Sequence, residues 1–262
     1  MAVNKVTIGN VEITALSDGI LELDACSFFP SVELEKWHAY EGALTPEANM
    51  RLNVGSFLVR SDGHTILVDT GLGPKPADDP SSTHGELLND IRSEGLSVGD
   101  IDMVVMTHLH RDHVGWNLQS SSGKYKPTFP NARYWMSAKD WEACHRPEYT
   151  DRYPNAPACV WPLEELDLMV LYDGEHSLTS HLTTLPTPGH TPGHMSMVVS
   201  SEGEKALILG DAIHSPVQLQ ETDWNPRADI DPEQGMATRK QLIENLEREG
   251  TLVASGHFPA PG

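Results

Sequence analysis

Six consecutive positions constrain this chain more than any other stretch. His108-Leu109-His110-Arg111-Asp112-His113 puts three imidazoles and one carboxylate side by side. Imidazole is a common metal ligand through its neutral ring nitrogen, and Asp is a hard oxygen ligand. The run before it, residues 101–106, is apolar and rich in β-favouring residues. It reads as a buried strand that delivers the ligands onto the loop at its C-terminal end. A lone histidine is more often structural than functional, but four donors at this spacing point to a metal.

The same arrangement recurs further along. Strand-like runs end at His190, at Asp211 and at His257. Strand ends are where sheets present functional residues, so the candidate ligand set is His108, His110, Asp112, His113, His190, Asp211 and His257.

Other strands are expected at 6–8 and 11–16 around a Gly9-Asn10 turn, at 56–60 and 65–68 around residues 61–63, and at 132–136, 169–172, 181–185, 195–200, 206–209 and 251–254. Residues 17–19 should break the pattern, and 74–82 reads as a Pro/Asp/Ser loop. Helices are expected over 84–94 with Gly95 as stop, after Ser137 as N-cap, and from Asp231 with Pro232 at the first turn to Glu249, stopped by Gly250. Residues 26–51 form an irregular aromatic-bearing arm, and 146–168 carries no assignable pattern. No internal repeat or linker divides the chain, so one domain over 1–262 is expected.

Bulk properties exclude whole function classes. A net charge of −20, from 18 basic and 38 acidic residues, argues against nucleic acid and against an anionic membrane surface. No apolar run approaches the length of a membrane span, and no apolar signal-like segment follows the first residues. Three cysteines without a CxxC pair fit reduced thiols. A cytoplasmic location is the expectation.

HxHxDH, followed by TPGHTPGH, LGDA and SGH, resembles the metallo-β-lactamase superfamily, within it the N-acyl homoserine lactonase and methyl parathion hydrolase-like branch. The resemblance implies an α/β fold, a four-layer αββα sandwich of two mixed sheets, with two zinc ions at one edge. One ion would take His108, His110 and His190. The other would take Asp112, His113 and His257, with Asp211 bridging. Asp69 would orient a ligand from behind, and His194 would serve the fold or the ligands' surroundings. Oxygen and nitrogen ligands discriminate poorly among metals, so iron, manganese or cobalt are alternatives in either position.

Departures from neighbouring branches narrow this. No cysteine follows Cys159, unlike the cysteine-bearing β-lactamases. His110 stands where flavodiiron relatives carry Glu. The resemblance therefore implies a hydrolase using a metal-bridging hydroxide on small-molecule lactones, with esterase activity on the side. A phosphotriester or aryl ester hydrolase of the methyl parathion hydrolase type is the nearest alternative, then a hydroxyacylglutathione hydrolase-like thioesterase. An iron-dependent persulfide dioxygenase is the alternative of another class. Asp112 is expected to handle a proton. His214, where lactonases place a tyrosine, is expected to donate to the developing oxyanion. Trp116, Phe28 and Phe29 are candidate walls of an apolar substrate pocket. The N-terminal arm is compatible with a homodimer.

Overall fold

The computed structural model describes residues 4–75, 83–121, 123–260 and 262. Of the expected loop at 74–82, residues 76–82 lie outside them. Thirteen strands are present among the described residues: β1 Lys5–Ile8, β2 Val11–Asp24, β3 Asn49–Ser61, β4 His64–Val68, β5 Met103–Val105, β6 Leu118–Ser121, β7 Lys124–Pro127, β8 Arg133–Ser137, β9 Met169–Tyr172, β10 Leu182–Pro186, β11 Met195–Ser201, β12 Glu204–Ile208 and β13 Leu252–Ala254. The helices are α1 Ala25–Phe28, α2 Leu34–Trp37, α3 Leu87–Ser93, α4 Arg111–Val114, α5 Ala138–Ala143, α6 Ala156–Cys159, α7 Pro162–Glu165 and α8 Pro232–Glu249.

Two sheets carry the architecture. The larger has the order β1-β2-β3-β4-β5-β8-β9 and the smaller β10-β11-β12-β13. Both are mixed: β1 to β4 pair antiparallel, whereas β4, β5, β8 and β9 run parallel. In the smaller sheet only β12 and β13 are parallel.

Alternating residues of the two sheets meet face to face. Val11, Ile13, Phe57, Val59, Ile66 and Val105 of one pack with Met197, Val199 and Ile208 of the other. The outer face of the larger sheet is covered by α3 and α5 to α7, through Leu87, Ile91, Ala143, Ala156 and Leu163. Leu242 of α8 covers the smaller sheet at Leu207 and Leu209. The result is the four-layer αββα sandwich.

The last helix follows its local signals. The Asp231 side chain accepts from Gln234 N, Pro232 opens the first turn, and Gly250 closes the helix with φ 63°.

Three local expectations are corrected. Residues 17–19 do not end β2; the strand shifts register between Ser17 and Ile20 and continues to Asp24. The reason is Asp18, whose buried carboxylate accepts from Leu72 N, Gly73 N, Leu87 N and Trp116 Nε1. Those four donors compensate a carboxylate that burial alone would disfavour. One of them, Leu87 N, sets where α3 begins, three residues later than its sequence pattern suggests.

Ser137 is the N-cap of α5, as its sequence suggests, without a capping bond from its hydroxyl. The arm at 26–51 is not wholly irregular. It contains the single turns α1 and α2, packed through Phe28, Phe29 and Trp37 against Trp224 and Val217. The unassigned stretch 146–168 holds α6 and α7.

Candidate metal centre

Parallel strands end at one edge, and the candidate ligands hang from those ends. His108 and His110 follow β5, and Asp112 and His113 lie on the single turn α4. His190 lies between β10 and β11. Asp211 follows β12, and His257 follows β13.

All seven are brought together. His108, His110 and His190 offer donor atoms within 4.8 Å of one another; so do Asp112, His113 and His257, and so do His108, His113 and Asp211. His113 Nε2 lies 3.3 Å from Asp211 Oδ1, while Asp211 Oδ2 lies 3.4 Å from His190 Nε2 and 3.1 Å from His257 Nε2. Asp211 thus faces both triads. His110 Nδ1 and His190 Nε2 approach to 2.9 Å. Donors about 2.0–2.1 Å from a tetrahedral ion stand about 3.3 Å apart, so these separations fit shared cations.

Orphaned atoms say the same. His108 Nε2, His113 Nε2 and Asp211 Oδ1 are buried without a hydrogen-bond partner, a costly state unless a cation satisfies them.

The opposite edge of four of the imidazoles is tied down, His110 being the exception. His113 Nδ1 donates to Asp69 Oδ2 at 2.8 Å, His190 Nδ1 to Asp229 Oδ1 at 2.8 Å, and His257 Nδ1 to the Asn53 carbonyl at 2.8 Å. Thr107 Oγ1 donates to Asp69 Oδ2 and lies 3.1 Å from His108 Nδ1, which it can accept from. Each bond places the proton on Nδ1 and leaves Nε2 for the metal.

Asp69 holds φ 61°, a left-handed conformation uncommon for a non-glycine residue. Its carboxylate also accepts from Thr107 N at 2.8 Å, and these bonds offset the strain. His194 is not among the ligand groups. Its Nε2 accepts from Asp211 N at 2.8 Å, which fixes the bridging residue's backbone. Gly210 permits that bond, because a Cβ there would lie 2.6 Å from His194 Nε2.

Several supporting residues carry no local sequence signal. Asp229 is met from behind by Arg239 Nη2 at 3.3 Å, and both are buried. Asp140 of α5 accepts from Thr191 Oγ1 at 2.7 Å and Gly193 N at 2.6 Å, anchoring the loop that carries His190. Burial pushes its carboxyl up to about 6 against those stabilising bonds.

The expected pocket residues separate. Phe28 lines the groove beside the ligands, its ring centroid 5.4 Å from that of His214. Phe29 is fully buried behind it, against Trp37 and Trp224. Trp116 belongs to the core beneath the larger sheet, its indole on Asp18. Gly115 packs its backbone on Leu72, where a Cβ would meet Leu72 C at 2.0 Å, and the chain turns Trp116 away from the ligands. His214 is buried with both ring nitrogens unpartnered, and its Nε2 is 3.3 Å from Asp211 Oδ2.

Residues 50–257 match the metallo-beta-lactamase superfamily. The chain belongs to that superfamily. An N-acyl homoserine lactonase of Bacillus thuringiensis is 26% identical over 232 residues, covering 82% of this chain and 85% of its own. Among solved structures, the dizinc quorum-quenching lactonase AidC, in complex with a hexanoyl homoserine product, is 25% identical with a TM-score of 0.84, over 98% of this chain and 91% of that one. The hydrolase AbOPH of the beta-lactamase superfamily is 27% identical with the same TM-score of 0.84, over 98% and 90%. The expected fold and family are confirmed, and the chain is a hydrolase of this superfamily with a His/Asp site suited to metal.

Without metal, protons substitute for cations. Burial alone would lower His113 and His257, but the carboxylates around them win. Asp211, Asp69 and Asp112 hold His113 well above 6.5, and Asp211 and Asp112 lift His257 to about 9. Burial keeps His108, His110 and His190 well below 6.5 and neutral. The surrounding imidazoles hold Asp112 below 3.8 and Asp211 well below it, although burial opposes both.

The signs give a pH window. The raised histidines stabilise the metal-free fold fully below 6.5 and lose this as pH rises through about 9; the lowered carboxylates stabilise it above 3.8 and lose this as pH falls. Chelator-treated protein is therefore expected to lose stability between pH 6.5 and 9, by about 3 kcal/mol from His257 alone. Zinc should remove the dependence. Thermal unfolding at both pH values, with and without zinc, measures it; equal slopes in the two states would contradict the assignment.

Proposed function

We propose that this protein is a dinuclear zinc hydrolase that opens lactones, with ester hydrolysis as a side activity. One observation carries the reading: two ligand triads joined by Asp211 stand at the mouth of an apolar chamber. The chamber has a volume of about 730 Å³ and is lined by Ile20, Leu44, Met50, Leu52 and Val217, and it reaches the site at His214 and His257. It suits an acyl limb whose carbonyl would lie over the ligands. The lactonase relatives and the dizinc lactonase neighbour support the same substrate class.

Two divalent ions held by His108, His110 and His190 and by Asp112, His113 and His257, with Asp211 shared, would supply an activated water near neutrality and a Lewis acid for the carbonyl. The chain's own residues do the rest. The leaving group is the ring oxygen, and the bond from acyl carbon to that oxygen breaks as water oxygen adds to the carbon. Asp112, ionised and facing the groove, can pass the water's proton to the departing alkoxide. His214 would donate to the carbonyl oxygen as it gains charge. Its backbone N donates to Gln218 Oε1 at 2.7 Å and its ring packs edge-on to Phe28, so the imidazole is held in one orientation.

His214→Ala is expected to lower kcat roughly 10²-fold, the effect of removing one such donor, with metal content unchanged. Unchanged kcat at full metal content would remove His214 from the mechanism. For the function itself, zinc-loaded protein offered N-acyl homoserine lactones, aryl esters, phosphotriesters and thioesters should turn over the lactones with the highest kcat/KM. Preferential phosphotriester hydrolysis, or oxygen consumption by an iron-loaded form with a persulfide, would replace the reading.

A further inference from the structure

Two cavities meet at the ligands. Besides the apolar chamber there is a groove of about 510 Å³, and the two share Leu52, His214 and His257. A substrate whose carbonyl sits between them sends one limb into each. The second groove differs sharply in character, because Arg111, Arg152 and Arg227 all line it.

These arginines come from three separate segments and are exposed, and two of them, Arg152 and Arg227, are tied to each other. Arg227 N donates to the Phe28 carbonyl at 2.8 Å, its Nη1 donates to Ser27 Oγ at 3.2 Å, and its own carbonyl accepts from Arg152 Nη1 at 2.8 Å. Every acceptor they use is a neutral oxygen. Among the described residues, the arginines with a carboxylate within 4.0 Å are Arg51, Arg60, Arg239 and Arg248, none of them in this groove.

Of the groove's own carboxylates, Asp112 and Asp211 belong to the metal ligands, and only Asp151 remains. With Asp112 and Asp211 engaged by cations, the three arginines outnumber Asp151 on a chain of net charge −20, whose overall field would otherwise repel an anion. Guanidinium forks bind carboxylates by paired hydrogen bonds, a geometry a lysine does not offer.

We infer that the substrate carries a carboxylate on the limb lying in this groove, recognised by Arg152 and Arg227, while its apolar limb fills the chamber. The inference rests on the lactone reading and narrows it: a neutral acyl lactone would fill the chamber and leave the arginines unused.

The test compares two γ-lactones that differ only in one terminal group, a carboxylate or its N-methylamide, on zinc-loaded protein at low ionic strength. The acid should be preferred in kcat/KM by about tenfold, falling to about twofold or less in the Arg152→Gln/Arg227→Gln double variant and in high salt. Equal turnover of the pair, or a preference that survives the double variant, overturns the inference. If neither lactone is opened, the lactone reading fails, and calorimetric titration with hexanesulfonate decides this inference separately. That anion should bind the parent at least about fivefold more tightly than the double variant. No binding, or equal binding, overturns it.

Discussion

Asp211→Ala is expected to abolish turnover by roughly 10³-fold or more in kcat/KM, the scale of losing a metal's charge stabilisation, and to lower bound metal from two equivalents to one or fewer. Asp211 presents Oδ1 to His113 and Oδ2 to His190 and His257, so it faces both triads. Without it, imidazoles that now face a carboxylate would face each other, and two bound cations would repel across the gap with nothing between them. Asp211→Asn separates charge from shape: it keeps the volume and one oxygen but should still lose most of the activity. Metal analysis of purified protein alongside kcat/KM checks both variants, and a variant that retains two metals and near-parent turnover would remove Asp211 from its bridging place.

The second large effect lies outside the ligand set. Arg239 of α8 is buried and spans two jobs: Nη2 donates to Asp229 Oδ2, while Nη1 and Nε donate to the carbonyls of Thr222 and Ala212. Asp229 in turn accepts from His190 Nδ1. Replacing Arg239 by Met leaves Asp229 as an uncompensated buried charge, which costs about 3–5 kcal/mol in comparable pairs. The variant should unfold at markedly lower denaturant and also bind metal more weakly, because His190 loses a properly oriented partner. Arg239→Met combined with Asp229→Asn should recover part of the stability, since the stranded charge is gone. Denaturant unfolding of the single and double variants measures this, and a single variant within about 0.5 kcal/mol of the parent, as at an ordinary surface site, would contradict the relay.

What the sequence could reveal depended on distance along the chain. The ligands of α4 are contiguous, and His190, Asp211 and His257 each follow a strand, so local pattern alone marks them. The partners that orient them are not local. Asp229, Arg239 and the Asn53 carbonyl reach the site from segments 39, 49 and 204 positions from the residues they serve or through a second residue, and only the closed sandwich makes them neighbours. Asp18 illustrates a different limit. A Ser-Asp-Gly triplet reads as a break, yet four backbone and indole donors converge on its carboxylate, and the strand runs on. Trp116 was expected near the substrate because it follows the cluster directly, but the tight packing of Gly115 on Leu72 sends the indole to Asp18. The hairpin of β6 and β7 lacks an apolar alternation, so nothing in its sequence announces it.

In the function we propose, two cations joined through Asp211 would make the catalytic unit. Titrating metal-stripped protein with zinc while following the opening of an N-acyl lactone tests it most directly. Activity is expected to rise until about two equivalents are bound per chain and then stay level. Full activity at one equivalent, or activity that appears only with a single bound iron, would contradict it.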